Sequence, residues 1–214
     1  MIRIETVALV VNCITSISLT VCAIIALNQI KIGKEQIAEQ KKASTINSKR
    51  ESLKTTSEQI RYYSDILIPL ISNLDDIIKR EKIMLFEKSS INITGDRISV
   101  DAKFGNGDLE KIKEFAVEFT NVNNGLCTLA TYFISGVADE EFAFPIIGNT
   151  YCNTIKKYLP VMYRRENDKI SESYPLKLFM IWNNRIEYNK KSEEIADLEN
   201  KLNNIPKGRI KPIG

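Results

Sequence analysis

Thr6-Val-Ala-Leu-Val-Val-Asn-Cys-Ile-Thr-Ser-Ile-Ser-Leu-Thr-Val-Cys-Ala-Ile-Ile-Ala-Leu-Asn-Gln-Ile30 is a run without a single charged side chain. At ~1.5 Å per residue a helix of this length reaches about 37 Å, enough to cross a hydrocarbon layer of about 30 Å with some tilt. It therefore predicts one transmembrane helix near the N-terminus. Asn12, Thr15, Ser16, Ser18 and Thr20 dilute the run with hydroxyl and amide groups, which favour a neighbouring helix over lipid. Thr15, Ser18 and Cys22 follow one another at spacings of three and four and share one helical face. These three mark a self-association face.

The flanks orient the span. Arg3 and the amino terminus precede it, whereas Lys31, Lys34, Lys41, Lys42, Lys49, Arg50 and Lys54 follow, which places the C-terminal part in the cytoplasm. Two other readings compete. A cleaved signal peptide lacks an A-x-A site at the end of the run, and in Leu19-Thr20-Val21-Cys22 a lipoprotein signal lacks the small residue before the cysteine. A buried core helix remains open, because polar residues interrupt the run.

Beyond the span the organisation is helical. Residues 1–30 are the anchor, 31–60 a polar juxtamembrane helix or flexible stalk, 61–205 a cytosolic helical domain and 206–214 an irregular tail broken by Pro206, Gly208 and Pro212. Ile46, Leu53, Ile60, Leu67 and Leu74 recur every seven residues, joined by Tyr63, Leu70 and Ile77. This stripe is thin before Ile60, where Leu53 extends the self-association face, and strong after it, where packing within the domain is the better account. Pro69 should kink the helix. Residues 89–107, with Gly95, Gly105 and Gly107 around Ile98-Ser99-Val100, predict a loop or at most a short β-hairpin near 91–104.

Asp108 is expected to cap a helix through Leu109, Ile112, Phe115, Ala116 and Phe119. Asn123-Asn124-Gly125 then interrupts that helix or separates it from Leu126–Ile134. Gly136 suits a helix end, and Asp139-Glu140-Glu141 a helix start facing a positive dipole. A short helix from Glu140 should stop at Gly148, followed by another from Tyr151 to Met162 that ends on Arg164 and Arg165. Pro175 opens a last long helix through Ile181, Tyr188, Ile195, Leu198 and Leu202. The fold class is mainly α: one transmembrane helix plus a helical bundle.

Composition excludes several chemistries. The chain has no histidine, hence neither the usual base near neutral pH nor the commonest metal ligand. Lys and Arg total 30 against 27 acidic residues, a balance unlike a sequence-specific nucleic-acid binder. Cys13, Cys22, Cys127 and Cys152 have no metal-ligand spacing, and a disulfide framework has no support. No cofactor or metal is implied, and no catalytic residue is assigned. Asp75-Asp76 and the acidic cluster at 139–141 are weak candidates for acid/base or cation chemistry, Gly105-Asn106-Gly107 reads as a turn rather than a phosphate loop, and Cys152 lacks a base to activate it. Lys156, Lys157, Arg164 and Arg165, near Tyr158 and Tyr163, form a candidate site for a small anionic ligand such as a nucleotide.

The segment from Ile112-Lys113-Glu114-Phe115-Ala116 through Tyr132-Phe133-Ile134-Ser135-Gly136-Val137-Ala138-Asp139-Glu140-Glu141, with Phe144, Gly148, Tyr158 and Pro160, resembles a group of small bacterial single-span proteins catalogued as a domain of unknown function. The specific pattern covers roughly residues 109–165. The resemblance implies a helical domain anchored in the bacterial inner membrane, with a place in phage-defence or mobile-element loci, and brings no catalytic residues with it. The expected function is a membrane-tethered interaction or effector module. It would self-associate in the bilayer and engage a cytosolic protein or small anionic ligand. A membrane-anchored enzyme with an unrecognised site is the alternative.

Overall fold

The computed structural model describes residues 4–95, 97–165 and 173–203, and the side chains of all of these except 4–8, 10, 11 and 163–165. The chain divides into two compact units, Met1–Glu51 and Ser52–Gly214. Its first element, α1 (Ile4–Tyr62), carries the uncharged run and is long and apolar enough to cross a membrane. Every described side chain from Leu9 to Ile32 is exposed, so the run is not a core helix of this chain. The polar stretch after it is helical, and Gly33 does not break it. Thr45, Thr56 and Ser57 direct their hydroxyls to the carbonyls four residues earlier, which keeps them compatible with a helix interior.

The second unit is a helical domain. A π-helical turn, Tyr63–Leu67, joins α1 to α2 (Ile68–Glu81). Its position follows from Pro69: proline has no N–H and its ring displaces the carbonyl four residues back, so the ladder before it loosens into the wider turn. Tyr63, Leu67 and Leu74 are buried and Ile60, Leu70 and Ile77 half-buried against them, which places the strong part of the seven-residue stripe in the domain's own core. Lys82, at a left-handed φ of 49°, ends α2.

A short α3 (Met84–Lys88) leads into an antiparallel hairpin, β1 (Ser90–Thr94) with β2 (Arg97–Asp101), in which Thr94 pairs with Arg97 and Ser90 with Asp101. Strand side chains alternate, and Ile91, Ile93, Ile98 and Val100 form the half-buried face against the core.

Helices α4 (Asp108–Glu114) and α5 (Ala116–Ile134) are separated where Phe115 leaves helical backbone values. Phe115 itself is buried. Asp108 does not cap its own helix, whose N-cap is Gly107. Its buried carboxylate instead accepts the backbone N–H groups of Leu85 at 3.0 Å and Gly105 at 2.8 Å, tying α3 to the loop before α4. Asn123-Asn124-Gly125 interrupts nothing, since α5 runs through it. Gly125 lies where α5 meets the π turn, and an ideal Cβ there would stand 2.2 Å from Leu67 Cδ2. Gly136, with φ +72°, follows the end of α5 as expected of a helix terminator.

The two helices expected between Glu140 and Met162 are one, α6 (Glu140–Arg165), with Pro145 and Pro160 inside it. Gly148 does not stop it, because the Phe144 ring packs against the glycine within 2.7 Å of where a Cβ would stand. The last helix, α7 (Tyr174–Asn203), begins with Pro175 in its first turn and buries Leu176, Leu178, Phe179 and Trp182 against α5 and α6. Residues 206–214 of the expected tail lie outside the described ones.

Candidate functional site

The acidic group at 139–141 builds structure. Asp139 Oδ1 accepts the N–H of Phe142 at 3.0 Å and caps α6. Its own N–H donates to Thr56 Oγ1 at 2.6 Å, while that buried hydroxyl donates to the Ser52 carbonyl at 2.7 Å. Glu140 accepts the indole N–H of Trp182 and, at 3.1 Å, an N–H of Arg185, whose guanidinium lies 4.6 Å from the centre of the Phe144 ring. The start of α6 is thereby fastened to α7. Among the described residues no group of three or more acidic, cysteine or histidine side chains is placed to hold a metal ion.

Asp75 is likewise occupied, by Lys157 Nζ at 2.5 Å and the Tyr158 hydroxyl at 2.7 Å. Burial and the neighbouring carboxylate both raise the Tyr158 pKa, so this hydroxyl is a standing donor. Cys152 is buried, and desolvation pushes its thiol up to about 12. A thiol this reluctant to ionise is a poor nucleophile at neutral pH.

A concave feature with varied chemistry lies elsewhere among the described residues. Between the hairpin, α6 and α7 is an open cleft of about 700 Å³, a size common for small-molecule sites. β1 contributes the apolar side chains of Ile91 and Ile93, α6 contributes Lys156, and α7 contributes a polar row. Asn183 begins that row. It is 3% exposed, and its carboxamide oxygen is buried without a hydrogen-bond partner among the described residues. Asn184, Glu187, Tyr188 and Lys191 continue it at spacings of three and four, along one side of α7. Neither Lys156 nor Lys191 is in an ion pair among the described residues.

A comparison with known families, curated proteins and solved structures finds no match to this chain. The chemistry of its own residues must therefore carry the functional reading.

Of the basic residues that the sequence groups together, the structure turns the two lysines to different neighbours. Lys156 lines the cleft, and its neighbour Lys157 is turned to Asp75 on α2. Arg164 and Arg165 belong to the last turn of α6, and their side chains lie outside the described ones. Thr15, Ser18 and Cys22 are exposed along α1 in the first unit, whereas Leu53 is half-buried in the second. The α7 row carries one signal in the sequence that the basic cluster does not include. Leu176, Phe179, Asn183 and Ile186 follow core spacing, and an amide interrupts the apolar stripe at 183.

Proposed function

We propose that this chain is a membrane-tethered interaction or effector module: α1 crosses the bacterial plasma membrane once, the helical domain faces the cytoplasm, and the protein acts by self-association together with a cytosolic partner or ligand. The observation that carries this reading is the exposed apolar face of α1. Leu9, Ile14, Ile17, Leu19, Val21, Ile24, Ile25, Leu27 and Ile30 are all 49% or more exposed within this chain. Leaving such side chains in water forgoes ~1.5–3 kcal/mol each, a sum comparable with the whole stability of an ordinary domain at about 5–15 kcal/mol. Lipid removes that cost.

The lysines after the run favour a cytoplasmic domain. Self-association is supported by Thr15, Ser18 and Cys22 on one face of α1, and by Ile195, Leu198 and Leu202, exposed at spacings of three and four near the end of α7. Polar contacts between spans add only about 0.6 kcal/mol each, so the cytosolic helices must contribute, and the resulting association is weak enough to be switched. The defence setting rests on the resemblance over residues 109–165.

The test is membrane fractionation of the full-length chain. It should sediment with membranes and resist carbonate, and deleting residues 1–30 should release a soluble domain. Full-length protein recovered from the cytosol without detergent overturns the tether. A cysteine at exposed Asn200 (Asn200→Cys) should escape an impermeant thiol reagent in intact cells, and labelling before lysis reverses the topology. Replacing Ser18 and Leu53 together should lower the oligomer fraction and cellular activity in parallel. A strictly monomeric, active wild type excludes self-association.

A further inference from the structure

We propose that the cleft between the hairpin, α6 and α7 binds a nucleoside phosphate. This deepens the reading of the chain as a binding module and rests on it. It does not depend on the tether, which fractionation tests separately.

Asn183 lies at the buried end of the cleft's polar row. Its carboxamide oxygen is buried without a hydrogen-bond partner among the described residues, at a loss of hydration that a donor in the cleft Asn183 lines would offset once the side chain turns toward it. The missing group is an N–H or O–H donor. Asn184 follows directly and lines the same cleft, so two carboxamides, each carrying donors and an acceptor, are available to one polar heterocyclic edge. Tyr188, one turn beyond Asn184 and largely exposed, offers a ring face on which a base can stack. Ile91 and Ile93 supply the apolar wall opposite.

The remaining lining side chains match the rest of such a ligand. Lys156 and Lys191 are cations without an ion-pair partner among the described residues, and they reach the cleft from different helices, where either can pair with an anionic group. Glu187 lies one turn from Asn183 and one turn from Lys191, where its carboxylate can accept sugar hydroxyls. With two lysines against one glutamate, the cleft carries a net positive charge. A bare anion would leave Asn183 and Tyr188 unused. An apolar ligand would leave both lysines and the amide uncompensated.

The experiment is calorimetric titration of the full-length protein in detergent micelles with AMP, GMP, CMP and UMP in turn, and with inorganic phosphate. At least one nucleotide should bind with a Kd below about 1 mM, and phosphate alone at least tenfold more weakly, at about 1.4 kcal/mol per factor of ten. Replacing both lysines with glutamine (Lys156→Gln with Lys191→Gln), a change at a half-buried and an exposed position, should weaken binding by about tenfold or more. Asn183→Leu should abolish binding while holding or raising the thermal midpoint, because the amide it removes has an unpaired oxygen in the free protein. A merely structural Asn183 would instead lower the midpoint. The proposal is overturned if none of the four nucleotides binds at about 1 mM, if phosphate binds as tightly as the nucleotide, or if binding survives both sets of substitutions unchanged.

Discussion

Replacing Gly125 with alanine sets two well-defined effects against each other. Alanine is favoured over glycine inside a helix by about 1 kcal/mol, and α5 is continuous through this position, so local propensity alone predicts a gain. The tertiary structure opposes it. The new methyl would stand 2.2 Å from Leu67 Cδ2 and 3.1 Å from the Tyr62 hydroxyl, well inside carbon–carbon contact at about 3.5–4 Å. Leu67 is fully buried in the π turn, so its side chain has nowhere open to move. Overpacking of this kind costs about 1–3 kcal/mol, and the net expectation is a loss of up to about 2 kcal/mol. Denaturant titration followed by the fluorescence of Trp182, the only tryptophan and fully buried, reads this directly. The decisive comparison repeats Gly125→Ala in a Leu67→Ala background. With the obstructing side chain gone, the same change should become neutral or stabilising, a sign reversal that only direct contact produces. If Gly125→Ala stabilises the otherwise wild-type protein, α5 does not approach the π turn this closely and the reasoning is refuted.

Two further outcomes follow from the buried polar groups. Thr56→Val keeps the side-chain shape but removes the acceptor for the Asp139 N–H, and should cost about 1–3 kcal/mol, whereas Thr56→Ser should stay near wild type by the same titration; equal stability of all three would show that the link carries nothing. Burial holds the pKa of Tyr63 up at about 12 and that of Cys152 at about 12, above their ordinary values of 10.0 and 9.0, and raises Tyr151 and Tyr158 as well. These groups are neutral when protonated. Below the unfolded pKa values both states keep the protons and stability is full. Above them the unfolded chain releases protons that the folded chain retains, so stability should fall between about pH 9 and 12, by at most about 1.4 kcal/mol per pH unit for each group. Denaturation midpoints measured along this range should decline, less steeply in Tyr63→Phe, and a midpoint flat to pH 11 is incompatible with this burial.

Much of the helical layout was legible because its signals are local. The uncharged run, the Pro175 helix start, the Gly136 stop and the acidic start of α6 each express a backbone or dipole preference that a few neighbouring residues settle. Three local readings failed for one shared reason. Gly125 and Gly148 look like breakers in sequence, yet Leu67 and the Phe144 ring fill the space beside them and hold the helix through each. Asp108 looks like a cap, yet its carboxylate faces the backbone of Leu85, 23 residues away along the chain. In each case a packing partner distant in sequence or folded back from an adjacent turn outweighs a propensity worth about 1 kcal/mol.

Charge, length and apolar periodicity act through neighbours along the chain, so one long apolar helix before a mainly helical domain can be read from the residues alone. Which side chains share a site depends instead on packing between distant elements. It turned Lys157 to Asp75, left Lys156 beside the hairpin, and brought the α7 row with its buried Asn183 to the same cleft. Adjacent residues on a helix point about 100° apart, so the two lysines face different neighbours, and which neighbours those are depends on how α2, α7 and the hairpin pack around α6.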